Sequence, residues 1–172
     1  PVAEVPHPIR LRTVGIRRPE PDVLDPSVHS ANQLNSILAK LEANRAGVDG
    51  AVMLNRAGFV AETDSSNIFM VREGAVMTPR ATACVHGITR RATLELARTR
   101  GREIREGDLS LFDLYSADEV FTTGTVQELV PVVEVDGRNI GPGTPGPVTT
   151  ELLAAYRNLV RSECGAAQAV RA

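Results

Sequence analysis

Lysine is nearly absent from this chain: Lys40 stands alone beside 18 arginines. A mechanism that needs a primary-amine side chain must use Lys40 or do without one. Cysteine is also sparse. Cys84 and Cys164 are too few for a disulfide scaffold and fit a cytoplasmic protein with free thiols. The three histidines, His7, His29 and His86, are dispersed without metal-ligand spacing, so no metal site is expected. Cys84 and His86 lie too close in sequence to define a nucleophilic pair. No run of about 18 apolar residues occurs, which leaves no membrane span, and 1–8 has no apolar core of signal-peptide type. A formal net charge of -2 gives no reason to expect nucleic acid or an anionic membrane as a partner.

What is present is one domain's worth of chain, 172 residues, long enough to bury a sizeable core. Residues 1–10 are proline-rich and linker-like, which hints that something preceding them is missing. The domain is expected over 11–163, and 164–172 is small and unpatterned, a flexible tail. A strand is predicted over 11–16, and 17–26, with three prolines, must be extended or turning. Leu34, Ile37, Leu38 and Leu41 form one apolar stripe on a helix predicted over 30–45. Lys40 then lies about three turns, roughly 16 Å, beyond His29, too far to serve a site at the helix start.

Strands follow over 51–54, 59–61, 68–71 and 75–77, with a turn at Glu73-Gly74. Thr89 is placed to cap a helix reaching about Arg100, with Ala92, Leu96 and Ala97 inward and Gly101 as its stop. Short elements are expected over 102–105 and 109–116, then a strand over 119–122 and a hairpin of 130–135 with 138–140. A last helix spans about 148–160. Strands and helices interleave without a regular Rossmann alternation and without a GxGxxG or P-loop fingerprint. The fold class is therefore α/β, a mixed α+β domain with hairpins.

Three segments set polar or glycine-bearing residues directly against hydrophobic runs: Glu62-Thr-Asp-Ser-Ser-Asn67-Ile-Phe69, Gly87-Ile-Thr-Arg90 and Thr122-Thr-Gly-Thr125. Two offer backbone N–H and hydroxyl donors suited to a phosphate, and the third offers a carboxylate. Together they point to an anionic ligand with a basic ring.

These segments, with the run from Asn32 to Glu42, Gly58-Phe-Val-Ala-Glu62, Ser66-Asn-Ile-Phe69, Ala117-Asp-Glu-Val-Phe121 and Val135-Asp-Gly137, resemble the class IV (fold-type IV) pyridoxal-phosphate aminotransferases. That family includes branched-chain and D-amino-acid aminotransferases and aminodeoxychorismate lyase. The resemblance extends from about Arg12 to Leu159 and implies the large C-terminal domain of the fold, the small N-terminal domain being absent. It also implies PLP as cofactor, amino-group transfer between an amino acid and a 2-keto acid, and a homodimer. On this likeness Glu62 pairs with the pyridine nitrogen and holds it protonated. Ile88 and Thr89 receive the phosphate at a helix start, and Gly124 and Thr125 form the second phosphate-contacting segment. Arg90 is a structural pair nearby. Ser65, Ser66 and Asn67 shape the loop, and His86 is placed to line the cavity.

The pattern breaks at the cofactor-linking lysine, whose place is taken by His29. An imidazole has no primary amine to condense with the cofactor aldehyde, so binding there would be non-covalent; it could still act as a general base. A tyrosine position just downstream reads Gln33 or Leu34. His29 is the catalytic candidate if the site is active, and a polar remnant if it is not. Beside an aminotransferase, the alternatives are a non-catalytic paralogue or subunit that partners a separate catalytic or N-terminal chain, and a cavity used without PLP.

Overall fold

The computed structural model describes residues 5–25, 28, 30–82 and 84–169. Strand β1 (Ile9–Arg17) pairs in parallel with both β2 (Gly50–Leu54) and β8 (Glu128–Val135). With β3 (Val60–Thr63), β4 (Asn67–Arg72), β5 (Ala75–Pro79), β6 (Ile104–Gly107) and β7 (Glu119–Gly124), the sheet order is β3-β2-β1-β8-β7-β4-β5-β6, and β9 (Arg138–Asn139) pairs with β8. Among the described residues, five of the eight strand pairings are antiparallel, while β5 and β6 run parallel across a connection that holds α3 (Ile88–Thr99). The fold is thus mixed α/β.

Strands β3 and β4 stand apart in this order, yet only 64–66 join them, and the Thr63 N–H donates to Ser66 O at 2.8 Å. The sheet must therefore curl back on itself into a half-barrel. That curl brings the end of β3 against the start of β4 and β7, where the candidate site lies.

Alternation along β4 divides the interior, since successive side chains point to opposite faces. Ile68 and Met70 join Leu11, Val52, Leu114 and Val132 in one cluster. Phe69 and Val71 join Phe121, Leu94, Leu152 and Leu153 under α3 (Ile88–Thr99) and α5 (Pro147–Ala169). Phe69 and Phe121 are direct cross-strand partners, and their rings stack at 5.0 Å between centroids.

Several elements differ from their predicted form. β1 begins at Ile9, inside the linker-like segment, because Ile9 and Arg10 pair with Val132 and Glu134 of β8. The proline-rich stretch contains a short helix, α1 (Pro21–Leu24), whose proline sits in the first turn, where its missing N–H costs nothing. α2 spans Leu34–Arg45 and starts four residues late. Its apolar stripe also faces outward: Leu34, Ile37, Leu38 and Leu41 are 61, 54, 41 and 45% exposed. The buried face is Ala39 and Ala43, small enough to lie close on Val14, Ala51 and Met53. Periodicity locates an apolar face but not which face the sheet covers.

Helix α3 is capped by Gly87, so Thr89 sits inside its first turn instead of before it; Thr93 and Leu94, along with Ala97, form its inner face. α5 continues to Ala169, past the last patterned residue. Among the described residues no helix is long and apolar enough to cross a membrane, and no group of three or more His, Cys, Asp or Glu could hold a metal.

Candidate functional site

A cavity of about 170 Å³ opens where α2, the loop after β3 and the segment before α3 converge. Its wall includes Arg18, Asn35, Glu62, Asn67, Gly87 and Thr123. Glu62 lies near the end of a buried strand and is itself only 4% exposed. Its Oε1 pairs with the guanidinium of Arg18, while Oε2 accepts from Asn67 Nδ2 at 3.2 Å and from Val85 N–H at 3.3 Å. Burial pushes the Glu62 carboxyl up to about 7, against the lowering effects of Arg18 and of the Val85 amide. A carboxylate held near neutrality and pinned from three sides suits the role of a partner for a basic ring nitrogen.

Asn67 does more than shape its loop, the role its sequence context implies, because it joins two elements: its Nδ2 also donates to Val85 O at 2.9 Å. No local pattern in the sequence marks this, because Val85 lies in the segment beyond β5 and reaches Asn67 through the pairing of β4 with β5. The loop itself is held by Thr63, whose Oγ1 accepts from Ser66 N–H at 2.8 Å and donates to Ser66 O at 2.9 Å. Gly87 leaves room for the Asn67 amide, since a Cβ there would come against Asn67 Oδ1 and force that side chain to shift.

The helix termini form a second pattern. α4 (Leu111–Tyr115) carries a capping box between Ser110 and Asp113. α5 is capped from a distance by buried Glu119, which accepts from Val148 N–H at 2.9 Å, Thr149 N–H at 2.8 Å and Thr149 Oγ1 at 2.7 Å. α2 and α3 begin without any side-chain cap, and Gln33 and Gly87, their N-cap residues, both border the cavity. Their first-turn amides have no carbonyl partner within the helix and carry the positive end of the dipole. That environment favours an anion.

Unpartnered polar atoms point the same way. Among the described residues, Arg18 Nε, Asn35 Oδ1 and Thr123 Oγ1 are buried without a hydrogen-bond partner, and all three residues line the cavity. Such atoms are costly unless a ligand or water satisfies them. Donors, an acceptor and a buried carboxylate around a small cleft fit a phosphorylated pyridine.

Of the predicted site residues, Glu62 and Thr125 line this cleft, whereas Ile88, Thr89 and Gly124 are not among its lining residues. Gly124 lies beside the wall, where a Cβ would come 3.3 Å from Ser66 Oγ. Ile88 projects its side chain outward, 71% exposed, so only its amide could serve a ligand. The Thr89 hydroxyl is buried and lies 3.4 Å from Tyr156 Oη. His29 lies outside the described residues. His86, expected at the cavity, is exposed and its Nε2 lies 2.9 Å from Ala81 O. Arg90 is a structural pair, donating to Pro79 O at 2.9 Å and Glu106 Oε2 at 2.6 Å. Burial, and then the Glu62 charge, push the Cys84 thiol up to about 12, which makes it a poor nucleophile.

Lys40 is on another surface. It hydrogen-bonds Asp49 O and borders a separate cavity of about 510 Å³ beyond the Thr63–Ser66 turn, shared with His7, Ile9, Leu11 and Gln127. It is not among the residues lining the first cavity.

Comparison with known proteins accords with this geometry. The amino-transferase class IV family profile matches residues 1–135. Branched-chain-amino-acid aminotransferase-like protein 2 of Arabidopsis thaliana is 50% identical over 151 residues, 88% of this chain and 27% of the plant protein. A putative branched-chain-amino-acid aminotransferase of Methanocaldococcus jannaschii is 47% identical, over 88% of this chain and 53% of the archaeal one. Among solved structures, the branched-chain aminotransferase of Thermobaculum terrenum in its PLP form superposes with a TM-score of 0.88 at 36% identity, covering 91% of this chain and 52% of that one. The branched-chain aminotransferase of Thermoproteus uzoniensis, solved with norvaline, gives 0.85 at 36% identity, over 90% and 52%. The chain thus spans about half the length of these solved enzymes and between about a quarter and a half of these two sequence relatives. With its profile match, its half-barrel sheet and these relatives, the chain belongs to the class IV aminotransferases.

Proposed function

We propose that this chain is the large-domain part of a branched-chain-type aminotransferase site that holds PLP without a covalent link. The carrying observation is the buried Glu62 in a cleft onto which two uncapped helix starts open. Glu62 would face the pyridine nitrogen. The first-turn amides of Ile88 and Thr89, with Gly124 and Thr125, would hold the phosphate. Bound there, PLP would supply an electron sink for bond breaking at the α-carbon of an amino acid exchanging its amino group with a 2-keto acid. The chain's own contribution is electrostatic and positional: Glu62 holds a ring proton, Asn67 and the Val85 amide fix that carboxylate, and His29 offers an imidazole able to accept or pass a proton.

Titration with PLP followed by absorbance, then borohydride reduction and intact mass, tests this reading. Reversible binding with no reducible adduct is expected. A lack of binding, or an adduct on Lys40, would overturn it.

A second reading, a subunit that works only with a partner chain, is favoured by one observation. The apolar stripe Leu34, Ile37, Leu38 and Leu41 is left uncovered, which fits a homodimer or a docked N-terminal chain. Both readings use the same cleft.

A further inference from the structure

The cleft contains one cation among its described lining residues, Arg18, against the carboxyls of Asp25, Glu62 and Asp64. Of these, Asp64 is committed to the backbone, its Oδ1 accepting from Ala51 N–H at 2.7 Å. Glu62 in turn helps to raise the nearby Cys84 thiol, which stays neutral and so leaves Arg18 as the charged side chain that acts on Glu62. Arg18 connects three elements. Its own N–H donates to Leu54 O at the end of β2 at 2.9 Å, its Nη1 donates to Ser36 Oγ on α2 at 3.3 Å, and its Nη2 pairs with Glu62 on β3. Its side chain is 11% exposed, and its Nε has no partner.

We propose that Arg18 is the positioning residue of the cofactor cleft: by pairing with Glu62 Oε1 and tethering to α2 through Ser36, it keeps the carboxylate ionised and aimed at the ring nitrogen. The inference rests on the PLP reading above and deepens it. Glu62 and a ring nitrogen share one proton between them. A nearby guanidinium makes the carboxylate the weaker base, so the proton stays on the ring, where it makes the ring electron-poor. Without Arg18 the carboxylate is a buried, stronger base and takes the proton itself. The guanidinium fork also fixes direction in a way a solvated ion would not.

Two measurements on the full chain separate this claim from the reading beneath it. The first needs no cofactor: NMR of isotope-labelled glutamate carboxyls, with Glu62 assigned through its loss in Glu62→Gln. The Glu62 midpoint is expected near about 7 in the wild type, to rise by about one to three pH units in Arg18→Gln, and to return most of the way in Arg18→Lys. The second uses isotope-labelled PLP. Its ring nitrogen should report the protonated form with the wild type and Arg18→Lys, and the unprotonated form with Arg18→Gln, with affinity for PLP about tenfold lower or worse. An unmoved Glu62 midpoint in a folded Arg18→Gln chain overturns the proposal and leaves the PLP reading standing. A moved midpoint with no PLP binding by the wild type overturns the PLP reading, and with it the role of Arg18 toward a cofactor. If Arg18→Gln does not fold, Arg18→Lys decides: a Glu62 midpoint that departs from the wild-type value by more than about two units counts against the charge-based account.

Discussion

Glu62 combines a charge, a burial cost and a proton near neutrality in one side chain. Because its folded-state midpoint is raised from 4.5 to about 7, the folded chain binds more protons than the unfolded one between those values. Its contribution to stability is therefore fully present below about pH 4.5 and is lost as pH rises through 7. Comparing wild type with Glu62→Gln by thermal unfolding should show the wild type losing about 3 kcal/mol more than the variant across that window. Gly87 makes a steric counterpart. Gly87→Ala pushes a methyl group into Asn67, so we expect about 1–3 kcal/mol of destabilisation, read by urea unfolding, and weaker PLP binding as Glu62 loses its second anchor. At position 29, His29→Lys restores a primary amine. The expected outcome is a borohydride-stable mass increase of one cofactor in the variant and none in the wild type; an adduct in both would show that another amine serves.

At the scale of elements, the helix starts carry the argument. Glu119 caps α5 with both carboxylate oxygens while buried. Glu119→Ala would leave the Val148 and Thr149 amides and the Thr149 hydroxyl unsatisfied and should cost about 2–4 kcal/mol in urea unfolding, without altering the cavity wall. The sequence made much of this scale readable. Strands β4, β5, β7 and β8 announce themselves by short apolar runs and by turn pairs such as Glu73-Gly74 and Asp136-Gly137, where φ is positive at each residue. The site segments were readable too, because Glu62, Gly87 and Thr125 sit at the ends of elements in a recognisable arrangement. Other features are set by tertiary geometry. The outward turn of the α2 stripe depends on which side β1 and β2 present. The Asn67–Val85 bond joins the start of β4 to the segment beyond β5, the Arg18–Glu62 pair spans the end of β1 and β3, and residues far apart in sequence leave no local trace of such contacts.

For the whole molecule, the predictions concern assembly and ligand. An uncovered stripe of Leu34, Ile37, Leu38 and Leu41 costs little folding stability to change and should cost association. Replacing all four by glutamine is expected to leave the melting temperature near the wild-type value while shifting sedimentation from dimer to monomer; a wild-type chain that sediments as a monomer would contradict the homodimer. The central claim is that the cleft between the starts of α2 and α3 receives a phosphorylated pyridine. Amide NMR shifts on addition of PLP test it most directly. The account predicts that the perturbed signals are those of Ile88, Thr89 and Arg90, the Thr123–Val126 turn and the first turn of α2. Perturbations confined to the other cavity, around Ile9, Lys40 and Gln127, or no perturbation at all, would contradict it.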